Sequence, residues 1–109
     1  MTVVSVYAIF ADADEAERIG RTVIDEHLAA CINILAPCRS IYRWQGKVEQ
    51  AEEVPAILKT TSEQSESLIA RIAALHSYDV PCLVVWPVDQ VLGSYADWVE
   101  TAVSPGGYA

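Results

Sequence analysis

Two long runs of strand-forming residues meet at the dipeptide Gln45-Gly46, near the middle of the chain. Residues 30–44 lead into it, residues 47–60 lead out of it, and Gly46 supplies the positive φ that a two-residue turn requires. Each arm has about 14 residues and would span about 45 Å at roughly 3.3 Å per residue. A globule of about 100 residues has a radius of gyration of only about 13 Å. The hairpin is therefore predicted to bend or to project beyond its own domain.

Two prolines predict where this hairpin bends and changes its pairing partner. With Trp44 paired to Lys47 across the turn, Pro37 and Pro55 fall at the same height on the two arms. Neither residue can donate a ladder hydrogen bond, so a bulge or bend is expected there. The proximal half is predicted to pair within the domain. The distal half, which carries Tyr42 and Trp44, is predicted to reach another subunit, and strand exchange of this kind favours closed rings.

The rest of the chain predicts a β-α-β-β-α-β order followed by a short C-terminal helix. The predicted elements are a strand at residues 2–10, a helix from its cap Asp12 to near Leu28, the hairpin, a helix capped by Ser62 and ended by His76, a strand at residues 82–88, and a last helix after Ser94. This is the ferredoxin-like α+β arrangement, with one antiparallel sheet and two helices on one face. Residues 1–109 are predicted to form a single domain with a loose tail at residues 104–109.

The composition favours a protein that buries surface between subunits. Fifty-two per cent of the residues are apolar, which is more than a domain of 109 residues readily hides alone. No run approaches the roughly 20 apolar residues needed to cross a bilayer. The apolar segment 1–10 lacks a basic leader and is followed at once by acidic residues, so we interpret it as a strand rather than a signal peptide.

Charge and cysteine content exclude other classes of protein. The net charge is −8, from 15 acidic and 7 basic side chains, and no Lys/Arg cluster offers a footprint for nucleic acid. Three cysteines without a CxxC motif do not make a disulfide framework. Such cysteine usage is typical of a reducing compartment, so a cytoplasmic location is expected.

Taken in chain order, a set of residues resembles the CutA divalent-cation tolerance family. The set covers about residues 3–100 and comprises Ala30-Cys31-Ile32-Asn33-Ile34, Ser40-Ile41-Tyr42, Trp44, Gly46, Lys47, Glu53, Lys59-Thr60, His76, Tyr78, Pro81, Pro87, Tyr95 and Trp98. The resemblance implies a ferredoxin-like subunit in a tight homotrimer whose long hairpins pack around one another. It also implies a role in tolerance to copper and other divalent cations, without catalytic activity. Tyr42, Trp44 and Gly46 are then expected at the subunit interface.

The same resemblance implies a metal-ligand set. Family sequences usually carry His-Pro-Tyr and then Pro-Glu, and their Cys, His and Glu are the suggested ligands. Here Ser77 replaces that proline and Cys82 replaces that glutamate, so the expected set is Cys31, His76 and Cys82. Two sulfurs and one nitrogen suit Cu(I) or Zn(II), which makes copper the expected metal and zinc the alternative. Two other interpretations stay open: Cys31 as a small buried hydrophobe, and His76 as a helix-end residue bonded to backbone carbonyls.

A second hypothesis for the function is a trimeric sensor, similar in architecture to the P-II nitrogen-signalling proteins. It would bind a small molecule or an anion between subunits, near the hairpin base and Lys59. The carboxylates of Glu49, Glu52 and Glu53 are interpreted as a solvated strand edge. An enzyme with Cys31 as nucleophile is a weaker alternative, because a reactive thiolate needs an electropositive setting and this cysteine has apolar neighbours.

Overall fold

The computed structural model describes residues 2–107 and follows the predicted order of elements. The elements are β1 (Val3–Phe10), α1 (Ala13–Asp25), β2 (Cys31–Ile34), β3 (Cys38–Trp44), β4 (Lys47–Thr61), α2 (Ser62–Leu75), β5 (Leu83–Pro87) and α3 (Gly93–Ala102). The sheet has the order β2-β4-β1-β5, with β3 paired to β4, and all these pairs are antiparallel. The predicted α+β fold with an antiparallel sheet is therefore confirmed.

Successive side chains along each strand point to opposite faces of the sheet. On one face Val6, Ala8 and Phe10 of β1 pack into a fully buried core beneath α1 and α2. On the opposite face α3 packs at one end only, where Val99 contacts a small cluster around Val3. Within residues 2–107, no other helix packs on the rest of this second face, because α1 and α2 both lie against the first.

Helix α1 begins as predicted and ends earlier. The Asp12 carboxylate accepts the N–H of Glu15 at 2.8 Å, as an N-cap residue should. The helix was expected to reach Leu28 but ends at Asp25, because His27 adopts a left-handed φ of 60°. Among residues 2–107, no helix combines the length and apolar character needed to cross a membrane.

Two predicted ends of elements are wrong in detail. The N-cap of α2 is Thr61, whereas Ser62 is the first helical residue and its hydroxyl contacts Glu63. The last helix was expected after Ser94 but begins at Gly93, with Leu92 at its N-cap. The looseness of residues 104–109 stays a prediction; within them the N–H of Ser104 donates to Thr101 O at 3.2 Å. The last two residues of that tail, 108–109, lie outside the described residues.

The hairpin divides where the prolines predict. Ile34 of β2 pairs with Ala56 of β4, whereas Cys38 of β3 pairs with Glu53. The three residues 35–37 therefore face only two residues on β4, which is the bulge expected from Pro37 and Pro55.

Beyond the bulge, the hairpin leaves the sheet. Pairing of β1 to β4 stops at Val54, so residues 38–53 pair only with each other. The molecule accordingly extends 45 Å along its longest axis and 26 Å along the next. At the tip Gln45 and Gly46 have φ of 50° and 81°, the two positive values of a type I′ turn. The predicted turn is confirmed.

Candidate functional site

A pocket of about 530 Å³ lies at the base of the projecting hairpin. It is formed by the end of β1, one face of the hairpin and the loop between α2 and β5. Its lining residues are Ile9, Ser40, Tyr42, Trp44, Glu49, Glu53, Tyr78, Asp79, Val80 and Cys82. The pocket thus combines three aromatic rings with three carboxylates, and its volume lies within the range of small-molecule sites.

The projecting hairpin presents a different surface on each side. The face towards the pocket carries Tyr42 and Trp44, which are about half exposed. The outer face carries Ile41 and Val48, and each of these side chains is 67% exposed. Sequence reasoning missed the outer pair, although their positions alternate with the two aromatic residues and already predict a second apolar face.

Glu53 is the buried carboxylate of the pocket. The residue is only 7% exposed, and the Tyr78 hydroxyl donates to its Oε2 at 2.7 Å. Desolvation of the phenol and this hydrogen bond to an anion hold the pKa of Tyr78 well above its usual value, so the phenol stays a donor at neutral pH. The predicted solvated edge is therefore wrong for Glu53, although Glu49 and Glu52 are exposed.

His76 orders the loop that forms the far wall of the pocket. Its Nε2–H donates to Ile9 O at 2.8 Å, and its Nδ1 accepts the N–H of Tyr78 at 3.0 Å. The ring is completely buried and stacks on Phe10 with centroids 5.4 Å apart. Both ring nitrogens are thus engaged with backbone groups, one with a carbonyl of β1 and the other with an N–H of the loop, rather than with the carbonyls at the end of α2.

The Glu15 carboxylate supports the same loop from the start of α1. It accepts the N–H groups of Ala11 at 3.0 Å and Ser77 at 2.9 Å, and one of its oxygens lies 3.8 Å from His76 Nε2. Burial acts to raise the pKa of Glu15, but these hydrogen bonds and the nearby His76 outweigh it, so the pKa is lowered overall. The ionised carboxylate is therefore part of the folded structure.

Cys82 lies in the pocket, whereas Cys31 does not. Desolvation of the Cys82 sulfur and the negative charge of Glu53 raise the pKa of this thiol, which favours its protonated form over the thiolate that binds metals. The Cys31 sulfur lies 3.5 Å from the Tyr95 hydroxyl of α3. Burial and this contact raise the pKa of Tyr95 to about 12.

The predicted metal set is not assembled within one subunit. Cys31 is on β2 and Cys82 immediately precedes β5, at opposite edges of the sheet, with β4 and β1 between them. Three strand spacings correspond to about 14 Å. His76 and Cys82 both bond to the backbone of Ile9, so only these two lie near each other. Within residues 2–107 of one chain, no three His, Cys, Asp or Glu residues are grouped to hold a metal ion.

Comparison with known proteins identifies the family. Residues 4–102 match the model of the CutA1 divalent ion tolerance protein family. The divalent-cation tolerance protein CutA of Archaeoglobus fulgidus is 37% identical over 98 residues, which are 90% of this chain and 95% of that protein. CutA of Pyrococcus horikoshii is 44% identical over 94 residues, 86% of this chain and 91% of that protein.

Solved structures agree with this match over the whole fold. CutA from Xylella fastidiosa superposes with a TM-score of 0.91 at 34% identity, covering 95% of this chain and 100% of its own. The A. fulgidus structure, described as a periplasmic divalent cation tolerance protein, gives 0.90 at 35% identity, with 94% and 99% covered. The chain therefore belongs to the CutA1 divalent ion tolerance protein family.

Proposed function

We propose that the protein is a homotrimer that takes part in tolerance to divalent cations by binding metal, without catalysing a reaction. The observation that carries the assembly is the projecting hairpin. Residues 38–53 extend beyond the sheet with apolar side chains on both faces, and Ile41 and Val48 on the outer face are largely exposed. Large apolar side chains exposed on both faces of a projecting hairpin are typical of a protein interface.

A second uncovered surface supports the same assembly. Tyr7 and Trp86 stack on the open face of the sheet with ring centroids 4.8 Å apart, and Val84 lies beside Tyr7. Trp86 and Val84 are each more than 40% exposed. We propose that this face and the hairpin, including Tyr42, Trp44 and Gly46, contact neighbouring subunits around a threefold axis.

The metal part of the proposal is limited by the geometry of the predicted ligands. Because one subunit keeps Cys31 away from His76 and Cys82, this set can bind copper or zinc only with residues from different subunits. The two nitrogens of His76 already bond to backbone groups, so it would have to exchange one of these bonds for the metal. Metal binding is therefore expected to depend on assembly and on both cysteines.

Isothermal titration calorimetry with Cu(I) and Zn(II), under reducing conditions at neutral pH, tests this proposal. The assembled protein is expected to bind one of the metals, and Cys31→Ser and Cys82→Ser are each expected to lose binding. Cys38→Ser is the matched control, since its sulfur contacts Ser40 and it is not in the predicted set. Unchanged metal binding in Cys31→Ser and Cys82→Ser would reject the ligand set. It would not bear on the trimer, which is tested by the mass in solution.

The alternative is a P-II-like trimeric sensor that binds a small molecule or an anion between subunits, and the charges around the hairpin base disfavour an anion. Glu49, Glu53 and Asp79 line the pocket there and would repel an anion. A thermal-shift screen with nucleotides separates the two functions, since a large shift with a nucleotide and none with metal would favour the sensor. A cytoplasmic location stays part of the proposal and is supported by three cysteines that are all free thiols.

A further inference from the structure

We infer that Lys59 of each subunit forms an ion pair with Glu49 of the neighbouring subunit, so that the distal hairpin of one chain lies across the open face of the next. This inference rests on the proposed trimer and goes beyond it, because it states which groups meet and in which register. The interaction surface is the open face of the sheet around Lys59, and the partner that fits it is a second copy of this chain.

Lys59 places a positive charge in the middle of the open face. On β4 it lies opposite Ser5 of β1 on one side and Cys31 of β2 on the other, and Ser5 in turn lies opposite Trp86 of β5. Residues that pair directly across strands point to the same face, so the neighbours of Lys59 in this row carry no negative charge. The lysine is partly buried, yet no carboxylate within residues 2–107 forms an ion pair with it.

Covering the open face would make this lysine costly unless an anion meets it. The stacked rings of Tyr7 and Trp86 lie on the same face, and this apolar surface is proposed to be covered in the trimer. A cation that loses its water without gaining a counter-charge strongly destabilises a contact. The neighbouring subunit must therefore bring a carboxylate to Lys59, or the interface must enclose a free anion.

The projecting hairpin can deliver that carboxylate. Glu49 lies five positions beyond Val54, where the pairing of β4 to β1 ends, and so stands about 17 Å outside its own sheet. It pairs with Tyr42 across the hairpin and therefore shares the side of the hairpin that carries the aromatic rings. That side is proposed to contact a neighbouring subunit, so Glu49 is placed to reach the open face of the next chain.

The other two carboxylates of the hairpin are less suited to this contact. Glu53 is buried, and its Oε2 already accepts the Tyr78 hydroxyl at 2.7 Å. Glu52 points to the outer side of the hairpin, because successive residues of a strand alternate in direction. Glu49 is exposed, and among residues 2–107 its carboxylate has no ion-pair or hydrogen-bond partner. It is therefore the carboxylate that is available to a second chain.

The charge pattern of the hairpin also selects one register. Lys47 lies two positions from Glu49 on the same side of β4. A slip of the hairpin by this step would bring Lys47 against Lys59, and like charges in a poorly solvated contact repel each other. In a ring of three subunits, each chain would offer one Lys59 to the chain on one side and one Glu49 to the chain on the other.

Charge exchange between the two residues tests the inference. Sedimentation velocity of the unmodified, metal-free protein first gives its mass and the urea concentration at which half of the trimer has dissociated. At that concentration, Lys59→Glu and Glu49→Lys are each expected to weaken association at least about tenfold, because each variant brings two like charges together. Lys59→Glu combined with Glu49→Lys is expected to recover most of that loss.

The matched control is Lys59→Glu combined with Glu66→Lys, which has the same composition and net charge as the exchanged pair. Glu66 is exposed on α2, and α2 packs on the opposite face of the sheet. The control is therefore expected to associate as weakly as Lys59→Glu alone. Equal recovery in both double variants would assign the effect to net charge and overturn the inference. Absence of recovery in the exchanged pair would overturn it as well.

Glu49→Lys carries the test if a substitution of Lys59 within the sheet prevents folding. Glu49 is exposed, so this variant is expected to keep the subunit folded, and Glu66→Lys is its control. Unchanged association of Glu49→Lys would overturn the inference, and a dependence of the trimer on added phosphate would then identify a free anion at Lys59. A monomeric unmodified protein would reject the trimer and the inference together, whereas the other outcomes leave the trimer standing.

Discussion

The two halves of strand β4 have opposite environments although they form one continuous strand of 15 residues. From Val54 onwards the strand lies between β1 and β2, and most of its side chains are buried. From Lys47 to Glu52 it pairs only with β3 and is mostly exposed, with Val48 among the most exposed apolar residues described. The proximal half is thus stabilised within the subunit, whereas the distal half has apolar surface that its own chain leaves uncovered.

This difference predicts which property of the protein a mutation in each half should change. Changes in the proximal half should lower the stability of the subunit, and changes on the outer face of the distal half should change the assembly and leave the subunit folded. The bulge at residues 35–37 separates the two, because it ends the pairing with the sheet and turns the hairpin outwards.

The largest expected effect is on assembly. Ile41→Asp combined with Val48→Asp places two charges on the outer face of the hairpin, where we expect apolar contact with a neighbour. Burying unpaired carboxylates is costly, so the variant is expected to dissociate to subunits of 11.9 kDa. Sedimentation velocity measures the change in mass.

A control with the same added charge distinguishes a local effect from general repulsion. Ser67→Asp combined with Ala70→Asp adds two carboxylates at exposed positions of α2. This variant is expected to keep the mass of the unmodified protein. Dissociation of both variants would assign the effect to net charge, and dissociation of neither would remove the hairpin from the interface.

The second-largest expected effect is a decrease in the free energy of unfolding. Leu58 is fully buried beneath the helices, and Leu58→Ala is expected to cost about 2–5 kcal/mol through lost burial and the cavity left behind. Ile57, its neighbour on β4, points to the open face and is only partly buried. In the dissociated hairpin variant, where no neighbour covers this face, Ile57→Ala should cost clearly less than Leu58→Ala. Equal losses by urea denaturation would contradict the assignment of faces.

The smallest effect depends on pH. The pKa of Glu15 is lowered in the folded state, so its contribution to stability is complete above the unfolded-state pKa of about 4.3 and is lost as the pH falls through the folded-state pKa. Glu15→Gln should therefore reduce stability at neutral pH and flatten the acid limb of the stability curve. Glu17→Gln, on the exposed side of the same helix, should leave that limb unchanged. Urea midpoints between about pH 3 and pH 7 make the comparison.

Much of the fold was predictable because its signals are local. The dipeptide Gln45-Gly46 defined the turn, the lengths of the arms required a projection, and Pro37 and Pro55 marked the bulge. The end of α1 was not predictable to the residue, because a left-handed His27 is a conformation that sequence pattern rarely indicates. The Nδ1 of His27 lies 3.1 Å from Ala102 O of α3, so a tertiary contact accompanies the left-handed conformation.

The candidate site was less predictable because it depends on which side chains meet. The family resemblance placed His76 among the expected metal ligands, whereas the fold directs both of its nitrogens to backbone groups. Glu53 was interpreted as solvated because acidic neighbours usually are, yet the loop after α2 covers it with Tyr78. Contacts between residues 25 positions apart leave no local pattern from which they could be deduced.

The mass of the metal-free, untagged protein in solution tests the central claim most directly. The account predicts a single species of three times 11.9 kDa by sedimentation equilibrium at micromolar concentration, because the distal hairpin and the open face of the sheet need neighbours to cover them. A stable monomer of 11.9 kDa under those conditions would contradict it.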